Sequence, residues 1–243
     1  MDTSFWVQYN PKIQITHTTK KYFGRYLYKL VVYAPAGRLI DSKDSIAEAL
    51  EHRRTITKSV NYGGWWGHRY SKDLDHADVE FLTRLQEIRN DRTLGLKLRV
   101  EEPRIQIYAE SVDKLENLVN VHFGTNWNTF VESISGPADD QAETVLNSGA
   151  IIRKTDTGYR YKIIIRDGRY SPEIKNNLLT YLSNLDPADV KLPGSGREML
   201  VKSNGFIWNM YLYVNDADIA DFLNLIHPGI VSNCHELVVM TDK

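Results

Sequence analysis

Six basic side chains, Lys12, Lys20, Lys21, Arg25, Lys29 and Arg38, fall between Thr3 and Ile40 with no acidic residue among them. A second stretch, residues 150–170, holds Arg153, Lys154, Arg160, Lys162, Arg166 and Arg169 against Asp156 and Asp167. Lys and Arg grouped in this way attract anions, and a phosphate backbone bound there gains from release of its counterions. Side chains on an extended segment alternate between two faces. Arg160, Lys162, Ile164 and Arg166 then share one face, and Tyr159, Tyr161, Ile163 and Ile165 the other. The same count along residues 207–214 sends Trp208, Met210, Leu212 and Val214 to the core and leaves Asn209, Tyr211 and Tyr213 opposite. A sheet that presents Arg and Lys beside two tyrosines can hold phosphates and stack unpaired bases. Lys29, Tyr33, Arg104 and Tyr108 give a less clear version of the same face. A solvated basic hairpin accounts for the same charges, and burial between two sheets or two subunits accounts for the same tyrosines.

Residues 61–70 combine three glycines with Tyr62, Trp65, Trp66 and Tyr70. This reads as a loop in which Trp65, Trp66 and Arg69 serve as stacking or partner contacts, or as a loop held on the core by its tryptophans. His17 lies in the run Thr16-His17-Thr18-Thr19. Its His-x-Thr is similar to one half of the signature of the two-histidine phosphoesterases, which need one His as base and a second as acid. The second half is missing, since His227-Pro228-Gly229 and His235-Glu236-Leu237 lack the Thr or Ser. Asp73, Asp75 and Asp78 could ligate a hard cation through oxygen, or favour the positive end of the helix that follows them. Phosphate-loop, dinucleotide-binding, nucleophile-elbow and zinc-protease signatures are absent. No catalytic residue, metal or cofactor is assigned, apart from a phosphoesterase reading that would use His17.

The 243 residues carry a formal net charge of −1, which argues against a protein that coats nucleic acid by bulk charge. With 42% hydrophobic and 25% charged residues the composition is that of a folded globular chain. No apolar run reaches a bilayer's thickness, and Met1 to Lys12 lack the pattern of a secretory signal. Cys234 is the single cysteine, so there is no internal disulfide. A cytoplasmic protein without membrane association is expected, or a virion component.

The elements that must position these side chains recur. Tyr26-Leu27-Tyr28-Lys29 followed by Leu30-Val31-Val32 matches Tyr159-Arg160-Tyr161-Lys162 followed by Ile163-Ile164-Ile165, with Gly37-Arg38 and Gly168-Arg169 downstream. Farther on, Ile105 to Tyr108 leads into Ser111 and a helical pattern, as Tyr211 to Val214 leads into Asp216 and another; both caps suit a helix start. Closing strands follow at 130–134 and 235–240. The second copy reads as strand 159–166, helix 172–184, strand about 197–202, strand 207–214, helix 216–226 and strand 235–240. That order, βαββαβ, predicts an α+β protein of two tandem ferredoxin-like units. The first spans 1–137 with a helical and aromatic-loop insertion at 53–95, and the second spans 138–243. Each is preceded by an extra strand, 13–19 and 150–155, and Thr155 to Gly158 looks like a hairpin turn into the next strand. The central place of that next strand leaves no free edge for a hairpin partner, so the extra strand either runs past the sheet or marks a variant topology.

The expectation is a non-enzymatic protein that binds single-stranded nucleic acid, RNA in preference to DNA, through Lys20, Lys21, Arg25, Lys29, Trp65, Trp66, Arg69, Arg160, Lys162, Arg166, Arg169, Tyr211 and Tyr213. The alternative is an assembly subunit, for instance of a virus or phage, that uses the same surfaces as protein interfaces, with homo-oligomers and an acidic stretch after Asp216 meeting a basic hairpin.

Overall fold

The computed structural model describes residues 3–59, 74–101, 103–202 and 205–240, with side chains between 46 and 59 described only through His52. Trp65, Trp66 and Arg69 lie outside the described residues. The chain divides into two compact units, Met1–Glu143 and Thr144–Lys243, each of mixed α+β structure on its own five-stranded sheet.

The first unit runs α1 (Thr3–Tyr9), β1 (Gln14–His17), β2 (Tyr28–Tyr33), α2 (Ile46–Ser59), α3 (His76–Asn90), β3 (Lys97–Glu101), β4 (Arg104–Ala109), α4 (Val112–Leu118) and β5 (Val131–Gly136). Helix α5 (Asp140–Asn147) follows. The second continues with β6 (Ile151–Arg153), β7 (Tyr161–Ile165), β8 (Gly168–Arg169), α6 (Pro172–Ser183), β9 (Val190–Lys191), α7 (Gly194–Val201), β10 (Phe206–Ile207), β11 (Tyr211–Val214), α8 (Ile219–Ile226) and β12 (Val231–Val239). The sheets are ordered β1-β5-β2-β4-β3 and β6-β12-β7-β11-β9, while β8 and β10 pair separately. Numbered along the chain within each sheet, both orders read first, fifth, second, fourth, third. In both, the first and fifth strands are parallel and all other neighbours antiparallel.

Period-two alternation gives each sheet one apolar face. In the first unit Leu30, Val32, Ile105, Ile107 and Ile134 are buried, as are Phe81, Leu82, Leu85 and Ile88 of α3 and Leu115 and Leu118 of α4. Helix α3 starts on a capping box in which Asp75 accepts from the Asp78 amide at 2.8 Å and Asp78 accepts from the Asp75 amide at 3.3 Å. Two of the acids considered as cation ligands thus satisfy a helix end, and among the described residues no group of three His, Cys, Asp or Glu is placed to hold a metal. In the second unit Ile163, Ile165, Leu212 and Val214 form one cluster with Leu178 and Leu182 of α6 and Ile219 and Leu223 of α8. Ser171 caps α6 by accepting from the Ile174 amide at 3.3 Å, with Pro172 in the first turn. No helix among the described residues is long and apolar enough to cross a membrane.

Four local expectations are corrected. The turn before β7 forms, with Gly158 at φ +76 and its amide donating to Asp156 Oδ1 at 2.8 Å, yet it makes no hairpin. Strand β7 has β12 on one side and β11 on the other, so β6 lies at the sheet edge, parallel to β12. Residues 197–202 are not a strand: Gly194–Val201 is helix α7, favoured by Glu198, Met199 and Leu200, and the strand before it is Val190–Lys191. The segment 207–214 is not continuous, because Asn209 adopts φ +50. That left-handed residue resets the alternation and leaves Trp208 59% exposed instead of in the core. Helix α8 starts at Ile219, and Asp216 closes the preceding turn by accepting from the Asp218 amide at 2.9 Å instead of capping the helix.

Lys175 on α6 is 1% exposed, and its Nζ donates to the carbonyls of Met199 and Lys202 at 2.6 and 2.7 Å. Burial pushes its pKa down, a cost offset by a cation meeting the carbonyl end of α7. Lys175→Ala strands two carbonyls beside a void and should lower unfolding free energy by about 3 kcal/mol, read by urea denaturation. A loss below about 0.5 kcal/mol would show that Lys175 does not fasten α7 to α6.

Candidate functional site

On the face of the second sheet turned away from its helices, register places side chains in rows. Residues paired directly across strands point to the same face. Lys162 on β7 pairs with Tyr213 on β11 and with His235 on β12, and Tyr213 pairs with Lys191 on β9. One row therefore reads His235, Lys162, Tyr213, Lys191, and the next contains Ile164 opposite Tyr211. Arg160 and Arg166 extend the same parity at the two ends of β7 and are exposed. Lys162 Nζ lies 3.9 Å from the centre of the Tyr211 ring and 6.0 Å from that of Tyr213, close enough for attraction to the ring face. Tyr159 stacks on Tyr213 at 6.3 Å between centroids. Both strand tyrosines are half-buried, so part of each ring remains open.

The first sheet repeats three places of the row. Lys29 on β2 pairs with Tyr108 on β4, and Tyr108 with Lys97 on β3, while Ser135 on β5 stands in the place of His235; Tyr26 lies 6.2 Å from Tyr108 and Tyr159 6.3 Å from Tyr213. Lys97 and Lys191 did not figure among the sequence candidates. Their signal is the match of Leu96-Lys97-Leu98 to Val190-Lys191-Leu192, masked by the strand-like pattern of 197–202.

The surroundings of the two rows differ. In the first unit Arg25 pairs with Glu110 at 2.5 Å, Arg99 with Glu101 at 2.9 Å, and Arg104 with Glu132. Each cation's field is locally cancelled. Lys20 is exposed and Lys21 and Lys29 are half-buried. In the second unit, among the described residues, Arg160, Arg166, Arg169 and Lys191 have no carboxylate at ion-pair distance. Arg169 is exposed on β8 opposite Phe206 of β10, and Phe206 stacks on Trp208 at 6.0 Å. Phe206 and Trp208 are 42% and 59% exposed, an aromatic pair that strand counting assigned to the core in part. His17 is exposed on the edge strand β1.

The arrangement offers flat ring faces beside cationic groups, and among the described residues no group of three His, Cys, Asp or Glu is placed to hold a metal. No protein-family model matches the chain, and no curated protein matches it.

Desolvation, with a smaller contribution from Tyr211, pushes the Tyr213 pKa above its ordinary value. A folded value above the unfolded one means stability that is present below about pH 10 and lost as pH rises through the folded value. The difference between absorbance titrations of the wild type and Tyr213→Phe should therefore show one phenol ionising above the ordinary tyrosine value. A difference transition at or below that value would mean that the ring is solvated.

Proposed function

We propose that the chain consists of two tandem ferredoxin-like units and binds single-stranded nucleic acid, RNA in preference to DNA, on the open face of its second sheet. The ferredoxin-like reading is supported by the order β12-β7-β11-β9, antiparallel throughout, with helices between its first and second and its third and fourth members in chain order. The extra strand β6 is then an addition at the edge. The observation that carries the functional reading is the row Lys162, Tyr213, Lys191, with its ring half-open and its charges facing the same way. Unpaired bases stack on tyrosine faces whatever their identity, and flanking ammonium and guanidinium groups hold the backbone. In this reading Tyr211 and Tyr213 stack bases, while Arg160, Lys162, Arg166 and Lys191 contact phosphates. Arg169, with Phe206 and Trp208 beside it, lies past the end of β7, where a longer strand would continue. RNA is named first because its unpaired segments are the usual ligands of base-stacking sheets.

A second reading, an assembly subunit of viral or phage type, draws on another surface. Helix α8 leaves Leu225 78% and Phe222 52% exposed, and exposed apolar side chains gathered on one element suit a protein contact. Light scattering that finds a defined oligomer, dispersed by Leu225→Glu, with no oligonucleotide bound, would favour it.

Binding of a labelled single-stranded oligonucleotide tests the leading reading. With about three phosphates contacted, affinity should fall about 20-fold between about 50 and 200 mM salt. Tyr213→Ala should cost about 1–3 kcal/mol of binding, and the double change Lys162→Glu, Arg166→Glu more than about tenfold in affinity. Salt-independent binding, or binding indifferent to both changes, contradicts the proposal.

A further inference from the structure

The two rows share a Lys-Tyr-Lys pairing, but one of them is covered. In the first unit the loop between β1 and the Tyr-x-Tyr-Lys motif folds back over Tyr108. Tyr22 lies 5.2 Å and Phe23 5.0 Å from the Tyr108 ring, the latter edge-on, and Lys97 Nζ sits 3.6 Å from the centre of the Phe23 ring. Lys29 Nζ is 5.3 Å from the centre of Tyr22. Tyr108 is consequently 3% exposed, whereas Tyr213 in the equivalent place is half-open.

The loop is built for this position. It closes through hydrogen bonds from the Tyr22 amide to the Tyr26 carbonyl at 2.8 Å and from the Tyr26 amide back at 3.0 Å. Its tip places Phe23 at φ +53 and Gly24 at φ +69. A left-handed aromatic residue is unfavourable and persists where its surroundings compensate it; here those surroundings are the Tyr108 ring and the Lys97 ammonium. The counterpart loop of the second unit is shorter, residues 154–158 against 18–25, and has no residues matching Tyr22 and Phe23. Tyr213 meets the Tyr159 ring at 6.3 Å and, edge-on, the Tyr211 ring at 5.4 Å, but among the described residues no ring stands against Lys191 as Phe23 stands against Lys97.

We infer that Phe23 occupies in the first unit the subsite that an unpaired base occupies in the second, so that the chain presents one open base subsite, at Tyr213 and Lys191, and one filled by itself, at Tyr108 and Lys97. The inference rests on the nucleic-acid reading and sharpens it. The ligand is a planar ring that meets the Tyr213 face and the Lys191 cation together, carried on an anionic backbone that Lys162 and the flanking arginines attract. Aromatic rings and bases share the flat π surface that cations and tyrosines recognise, which is why a phenylalanine can stand in for a base. The first subsite's phosphate contacts are weakened as well, since Arg25, Arg99 and Arg104 are ion-paired.

The test is stoichiometry, measured by titrating the full chain with a short labelled single-stranded oligonucleotide at low salt. The wild type should bind one strand. Phe23→Gly, which accepts the left-handed backbone without strain, should bind a second, and adding Lys97→Glu should remove that second strand. Deletion of Tyr22-Phe23-Gly24, which gives the loop the length of its counterpart, is an independent route to the same uncovering. Two strands on the wild type, or one strand on both variants when their melting midpoints show them folded, overturns the inference while leaving the binding reading intact. Failure of every form to bind the oligonucleotide overturns the binding reading itself. Displacement of the oligonucleotide by a second copy of the chain would assign the open subsite to an aromatic side chain and overturn the inference too.

Discussion

Antiparallel register between β7 and β11 is the constraint on which the site depends. It sets Lys162 opposite Tyr213 and Ile164 opposite Tyr211, and it cannot slip by one residue without exchanging the faces of the sheet. Such a slip would expose Ile163 and bury an ammonium if β7 shifted, or expose Leu212 and bury a phenol if β11 did, and both aliphatic side chains are fully buried. Burying each of those aliphatic side chains stabilises the fold by about 1.5–3 kcal/mol, more than the cross-strand pairs on the open face contribute, about 0.2–1 kcal/mol each. The hydrophobic side of the sheet therefore fixes the position of the polar side. Lysines and tyrosines that would be mobile on a loop are held in line by the aliphatic residues of the opposite face.

The same register in the first sheet, with Lys29 opposite Tyr108 opposite Lys97, makes the two units a natural controlled comparison. Strand order and the Lys-Tyr-Lys pairing are shared, while Ser135 and Gln106 stand in the first sheet where the second has His235 and Tyr211. One set of cations is matched by Glu101, Glu110 and Glu132 and one ring is roofed by Tyr22 and Phe23. In the second unit Arg160, Arg166, Arg169 and Lys191 meet no carboxylate among the described residues, and the ring of Tyr213 is half-open. Surface ion pairs of the first kind add little to stability, but they cancel the local field that would draw a phosphate backbone.

Much of this was legible in the residues, and the misses have identifiable causes. The Tyr-x-Tyr-Lys repeat marks β2 and β7, because aromatic and β-branched runs of that length favour strands, and alternation predicts the faces of Lys162, Ile163 and Ile165 but not of Tyr159, which precedes the strand and stacks on Tyr213 on the Lys162 face. Alternation failed at Trp208 because it assumes an unbroken strand, and Asn209 breaks it with a left-handed turn. Strand β9 was missed because two residues, Val190–Lys191, carry too short a pattern to recognise, and with it went Lys191. The roof over Tyr108 had no signal in composition: Tyr22 and Phe23 read as part of a basic hairpin until the backbone turned them inward. The placement of β6 beside β12 came from competition for edges, a property of the whole sheet and not of the segment.

The most direct measurement is amide chemical-shift mapping of the isotope-labelled chain on titration with a short single-stranded oligonucleotide. The account predicts that the shifts concentrate on Lys162 and Ile164 of β7, Tyr211 and Tyr213 of β11, Lys191 of β9 and His235 of β12. Shifts confined to α6 and α8, or no shifts at saturating oligonucleotide, would contradict it.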